Sequence, residues 1–263
     1  MAKQLHKNHK IFKPLLDSNN MERKPVVIGI GGLLERGERG KVTDMLDILG
    51  TQYRCRTYEI TFANIRRDGD TIICSINQGD SYNVGNTLDL AVSEIDNDPS
   101  RIGVITSSMG VVPLIEYLSQ KRDNIAKFVA HAANVPFTRI NPLARKYVEG
   151  IMEKGHSLDI SSKFDTERKQ KRIIPSTDLQ YILDFDANKL VSEISDEHQM
   201  RNLTILASRD ERVDNEETIK LHNKLKGKES DIVRVNSDHC VPYELSRKPI
   251  MEFMVEALDL KQQ

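Results

Sequence analysis

Three polar side chains in this chain stand where a nucleophile, a base and an acid could meet. Ser108 lies in Gly103-Val-Ile-Thr-Ser-Ser-Met-Gly110, an apolar run that ends in small residues and a glycine. Val111-Val-Pro-Leu-Ile-Glu-Tyr-Leu118, which can form a buried helix, follows at once. Strand, tight turn and helix in that order lift a serine to the edge of a sheet on a strained backbone, which tolerates only small neighbours two positions either side. For Ser108 these neighbours are Thr106 and Gly110, whereas for Ser107 they are the bulkier Ile105 and Met109. Ser108 is therefore the candidate nucleophile. Thr106 stands where the pattern G-x-S-x-G has its first glycine, and an ordinary strand-to-helix turn with an unreactive serine fits the same residues.

A serine hydroxyl attacks a carbonyl at neutral pH only when a histidine takes its proton and a carboxylate holds that histidine in the right tautomer. Parallel sheets collect such groups at the carboxyl ends of their strands. The loops after Leu203-Thr-Ile-Leu-Ala207 and Ile232-Val-Arg-Val235 hold Asp210 and His239, so the chain order is Ser, Asp, His. Asp214 is a rival acid, and Asp210 could merely cap a turn. His131 also ends an expected strand, Ile125-Ala-Lys-Phe-Val-Ala-His131, and could line a pocket, but it precedes Asp210. Asp238 reads as a turn or solvated residue, and Cys240 as a small buried side chain.

The elements that must carry these groups alternate between strand and helix. Pro25-Val-Val-Ile-Gly-Ile-Gly-Gly32 is a continuous apolar run, of the type buried on both faces of a parallel sheet. Val42, Met45, Leu46 and Leu49 recur at helical spacing with Gly50 as a stop, and a strand is expected over 53–60. Residues 66–82 read as a loop with a short strand at 71–76, and 86–95 as a helix. Between 134 and 200 the chain is expected to be mostly helical and without a buried strand, its run Lys163-Phe-Asp-Thr-Glu-Arg-Lys-Gln-Lys-Arg172 forming a solvated helix face. A closing helix is expected over 249–258. The fold class is thus α/β, with a mostly parallel central sheet covered by helices on both faces. The expected organisation is an N-terminal arm at 1–24, a core at 25–133 and 201–263, and a small helical cap at 134–200.

With Ser108, Asp210 and His239 in this order, and a helical insertion ahead of Leu203, the chain resembles the α/β-hydrolase superfamily from about Val26 to Leu258. Asp210 in Ala-Ser-Arg-Asp-Glu-Arg-Val matches the acid of the superfamily's G-x-x-D-x-x-V segment, and His239 in Ser-Asp-His matches its late histidine. The resemblance places an oxyanion hole at the backbone N–H of Met109 and of Gly32 or Leu33, although Ile30 stands where such enzymes often carry histidine. It implies a serine hydrolase that cleaves a small-molecule carboxylic ester or thioester through an acyl-enzyme, with no cofactor. An acyltransferase would use the same groups. Thr106 and Ile30 also leave open a hydrolase-fold binding module that has lost catalysis. Tyr147, Phe164, Tyr181 and Phe185 could line an acyl pocket or pack the cap on the core.

Other chemistries fit less well. Gly29-x-Gly31 follows a strand as in dinucleotide sites, but the third glycine would fall at Leu34. A phosphate loop ending in Gly40-Lys41 would need glycine at Glu35 and serine or threonine at Val42. No Cys/His cluster offers a metal site. The 38 Lys+Arg against 39 Asp+Glu give a formal charge of -1, which implies neither nucleic acid nor an acidic membrane surface as partner. No stretch reaches the roughly 18 apolar residues of a membrane span. The three cysteines without C-x-x-C spacing fit a reducing, cytoplasmic setting.

Overall fold

The computed structural model describes residues 24–32, 40–60, 63–76, 85, 88–89, 102–120, 128–161, 166–167, 169–192, 200–225 and 231–263. The expected N-terminal arm, except Lys24, and most of the helix expected at 86–95 lie outside these residues.

The central sheet is built from strands whose side chains are apolar on both faces. β1 (Val26–Ile30) and β5 (Ile102–Ser107) are buried at every position, as the continuous apolar runs require. With β2 (Arg56–Ile60), β6 (Phe128–Asn134), β9 (Arg201–Ala207) and β10 (Ile232–Val235) they form a six-stranded sheet in the order β10-β9-β6-β5-β1-β2. Every neighbouring pair in it is parallel.

One face is covered by α1 (Lys41–Gln52) and the last helix, α7 (Tyr243–Ala257), through Val42, Met45, Leu49, Phe253 and Met254 packed on Val27, Ile105 and Ala132. Glycines make room for these helices. A Cβ on Gly29 would come within 2.4 Å of Val42 Cγ1 and 2.6 Å of Leu46 Cδ1, so α1 lies directly on the β1 backbone. The other face carries α2 (Val111–Ser119) and α6 (Asn215–Lys224), with Ile28, Ile30, Val104, Val112, Ile115 and Leu221 in one core.

Several elements differ from the sequence-based expectation. α1 runs through Gly50, and α7 begins at Tyr243 and takes in Pro249. β6 starts at Phe128 and carries on to Asn134, so His131 sits in mid-strand. The short strand expected at 71–76 is β4 (Thr71–Ser75), but it is paired with an unexpected β3 (Asn64–Asp68) in a hairpin closed by a two-residue turn at Gly69 and Asp70, with Gly69 at φ 56°.

The stretch between β6 and β9 contains α3 (Pro142–Glu153), β7 (Leu158–Asp159), β8 (Lys171–Ile174), α4 (Ser176–Asp184) and α5 (Ala187–Val191). It is therefore not free of buried strand. β8 pairs parallel with β4 and antiparallel with β7 in a second sheet, β3-β4-β8-β7. The end of the charged run is part of β8, and Arg172 is buried there. β8 escapes a periodicity reading because its partner β4 lies about a hundred residues away. Asp178 on α4 ties the two pieces, its Oδ2 accepting the Ile76 N–H at 2.8 Å.

Gly29→Ala drives a methyl into the stiff Val42 side chain and is expected to cost about 1–3 kcal/mol. Gly150→Ala, in α3 with nothing within 4 Å of the added Cβ, is expected to stabilise by about 0.5–1 kcal/mol. Urea unfolding at constant m checks both signs.

Candidate active site

The junction of β5 and α2 is a strained turn. Ser108 has φ 46°, a left-handed conformation uncommon outside glycine, and opens a single 3-10 turn, Ser108–Gly110, that runs into α2. Close packing explains the residue types around it. A Cβ on Gly110 would lie 2.2 Å from the Ile30 carbonyl oxygen and 2.9 Å from that of Gly31, so no side chain fits. A Cβ on Gly32 would lie 2.9 Å from Ser107 O and 3.0 Å from Ser108 Cβ. The loop after β1 therefore lies directly against the serine turn. On the other side Phe137 N–H donates to the Ser108 carbonyl at 3.0 Å. Phe137 lies two residues after Val135, which also has a positive φ of 47°.

Asp210 and His239 reach the same edge because backbone pairing continues past the ends of β9 and β10. Ser208 N–H donates to Val235 O and Arg209 N–H to Ser237 O, which holds the two loops side by side. His239 Nε2 is 2.8 Å from Ser108 Oγ, and His239 Nδ1 is 2.7 Å from Asp210 Oδ2. The Asp210 side chain is 0% exposed and that of His239 11%. Asp210 Oδ1 accepts the backbone N–H groups of Arg212 and Val213 at 2.8 and 3.1 Å. Burial alone would raise its pKa, but the hydrogen bond and charge of His239 and these two N–H groups outweigh it and hold the carboxyl below its ordinary value. Asp210 is thus an acceptor at neutral pH. His239 Nδ1 carries the proton that it donates to Asp210, and Nε2 is left to accept from the Ser108 hydroxyl.

The rival residues have other roles. Asp214 is the N-cap of α6, accepting from Glu216 N and Glu217 N. Asp238 is a turn residue whose Oδ1 accepts the Cys240 N–H at 2.9 Å. Cys240 is exposed, contrary to expectation, because its loop lies on the surface between β10 and α7. His131 does not end its strand and is completely buried, with Nε2 2.8 Å from Thr106 Oγ1 and Nδ1 3.2 Å from Asn202 Oδ1.

Tyr147 is exposed, whereas Phe185 stacks on Phe137 at 6.0 Å and Tyr181 donates its hydroxyl to Glu116 at 2.7 Å. Phe164 lies outside the described residues, as does Leu33. Among the described residues no group of three or more His, Cys, Asp or Glu side chains could hold a metal ion, and no helix is long and apolar enough to cross a membrane. Phe137 escapes sequence reasoning, because its contribution is a backbone N–H.

The six parallel strands, the helices on both faces and the turn at the end of β5 are those of the α/β-hydrolase fold, which this chain has. No protein-family model and no curated protein sequence matches it. Among solved structures it is similar to Est1E from Butyrivibrio proteoclasticus, with TM-score 0.59, 18% identity and coverage of 92% of this chain and 91% of that one. It is similar also to a monoacylglycerol lipase of Paleococcus ferrophilus, with TM-score 0.60, 15% identity and coverage of 89% and 96%. A soluble variant of monoglyceride lipase from Saccharomyces cerevisiae gives TM-score 0.61 and 10% identity over 90% and 86%.

His131 gives the site region a pH-dependent stability. Burial lowers its pKa from 6.5 to about 4, against the hydrogen bond to Asn202 and with a smaller contribution from His222. The unfolded chain therefore binds more protons between these values, so stability is whole above pH 6.5 and is lost as the pH falls toward 4. The loss is expected to be on the order of 3 kcal/mol. Urea unfolding across this window should show the slope, and His131→Gln should flatten it. Asp210 contributes only at lower pH, since its stabilisation is lost as the pH falls through a pKa already below 3.8.

Proposed function

We propose that the chain is a serine hydrolase that cleaves a carboxylic ester or thioester through an acyl-enzyme on Ser108. The observation that carries this reading is the continuous hydrogen-bonded row of Ser108 Oγ, His239 and the buried Asp210, mounted on a serine with positive φ. Two of the solved structures similar to this chain, a monoacylglycerol lipase and a monoglyceride lipase, support an ester as the bond attacked.

His239 Nε2 takes the Ser108 proton as Oγ attacks the carbonyl carbon, and the carbonyl π electrons move onto oxygen. Asp210 stabilises the imidazolium without taking its proton. The backbone N–H groups of Met109 and Gly32 receive the oxyanion; Gly32 is held against Ser108 by the contacts that exclude a side chain there. Collapse expels the alcohol or thiol, which leaves with the proton from His239. Water then attacks the acyl-enzyme while His239 takes its proton, and Ser108 leaves the carboxylate product with its own proton restored. An acyl acceptor in place of that water would make the same site an acyltransferase. The segment 134–200, whose Phe137 and Phe185 stack beside the turn, is the part proposed to act as the cap that selects the acyl group.

A fluorophosphonate probe is expected to label Ser108 once per chain, with the adduct located by peptide mass spectrometry. Ser108→Ala and His239→Ala should abolish labelling, and Asp210→Asn should slow ester hydrolysis by about 10²–10⁴-fold, since the amide cannot hold the same tautomer. A folded wild-type protein that takes no label would leave the binding module as the reading.

A further inference from the structure

Thr106, the residue that departs from the glycine of the serine-turn pattern, is not a loose substitution. It is completely buried, and its hydroxyl joins a polar row across a sheet face that is mostly apolar. Oγ1 lies 2.8 Å from His131 Nε2 on β6, and His131 Nδ1 lies 3.2 Å from Asn202 Oδ1 on β9. Asn202 Nδ2 donates to the carbonyls of Met200 and Leu225, so Oδ1 is the atom turned to the ring. A carbonyl oxygen can only accept, which puts the imidazole proton on Nδ1. The buried ring is neutral at physiological pH, so Nε2 accepts and the Thr106 hydroxyl donates. Each hydrogen bond in the row has one direction, and the row ends two residues before Ser108.

We propose that Asn202 and His131 act through the Thr106 hydroxyl as a tether that holds the serine turn in its reactive geometry, making Thr106 and His131 positioning residues. The proposal rests on the reading of Ser108 as a nucleophile. A positive φ at serine persists only where its surroundings over-determine it. Two restraints are the fit of Gly110 under the Ile30 carbonyl and the Phe137 N–H on the Ser108 carbonyl. Both act at or beyond the serine. The tether supplies the restraint on the strand side, where a β-branched residue in place of glycine would otherwise push on the turn. With its hydroxyl fixed on His131, Thr106 is confined to one rotamer and its bulk is kept in one place. A small displacement of a nucleophile costs rate without weakening substrate binding.

The fold contains a control for this idea. Thr204 Oγ1 lies 2.9 Å from His222 Nδ1, an equally buried threonine–histidine contact on β9, two strands from β5. Thr106→Val, Thr106→Ser and Thr204→Val should be compared in the full chain. The measurements are the rate of fluorophosphonate labelling at Ser108, kcat and KM on a short-chain nitrophenyl ester, thermal stability, and the Ser108 and Met109 amide resonances.

Thr106→Val is expected to lower the labelling rate and kcat about tenfold at unchanged KM, and to move both amides. Thr106→Ser should restore rate and resonances to near wild type. Thr204→Val should lose stability comparably but keep kcat and both amide positions. Wild-type amide positions in Thr106→Val, or an equal loss of kcat in Thr204→Val, would overturn the tether. A wild-type protein that takes no label defeats the hydrolase reading instead, and the amide resonances then decide the tether alone.

Discussion

The left-handed backbone of Ser108 is the constraint on which the surrounding structure depends. Such a conformation costs on the order of 1–3 kcal/mol, and nothing in the serine itself compensates. The compensation lies in the strand and helix on either side, both buried almost throughout. β5 is covered on both faces, and α2 presents Val111, Val112, Leu114, Ile115 and Leu118 to the core with no exposed surface. The strand and the helix so anchored meet through the sharp turn at Ser108. Gly110 is then forced, because the first turn of α2 passes under the carbonyl end of β1. The serine is displayed at the junction of a strand and a helix that are both buried almost throughout.

The partners of the serine depend on a different device. Asp210 and His239 belong to loops, which would ordinarily spread a pair of side chains over many arrangements. Here the loops inherit the register of β9 and β10 through Ser208 and Arg209, so they are continuations of the sheet for two residues beyond its last regular pair. Asp210 then divides its oxygens. One closes the turn formed by Arg212 and Val213, and the other meets His239. The reading of Asp210 as a turn cap and its reading as the partner of a histidine are both correct, one for each oxygen.

What the sequence made legible follows from where each segment finds its partners. β1, β5, β9 and β10 show as apolar runs because parallel strands buried on two faces need them, and the positions of Ser108, Asp210 and His239 follow from counting past strand ends. β3 and β8 were hidden, since Arg66, Arg67, Asp68, Lys171 and Arg172 read as loop or solvated helix until each strand is seen beside its neighbour. The turn Asp68-Gly69-Asp70 carried the hairpin signal, but the charges around it masked the alternation. The position of His131 in mid-strand is hidden for a related reason. The small residues Ala132-Ala-Asn134 look like the start of a loop, yet in a strand between β5 and β9 small side chains are what the covering helices leave room for. Cys240 reads as a small buried side chain in sequence, but the loop that carries it between β10 and α7 lies on the surface.

The two departures from the superfamily pattern bear on what such a pattern encodes. Thr106 and Ile30 face each other in register on adjacent strands and are both buried, so their side chains belong to the sheet and not to the solvent edge. What the serine turn takes from Ile30 is its carbonyl oxygen, against which Gly110 is packed, and any residue provides that. What it needs from position 106 is a side chain that does not move, which glycine meets by having none and threonine can meet through a hydrogen bond. Gly110 and Gly32 are different, because there a side chain would occupy space already filled by backbone or by Ser108 itself. A side chain is shut out where backbone meets backbone, and it is tolerated, if held still, where side chain meets side chain.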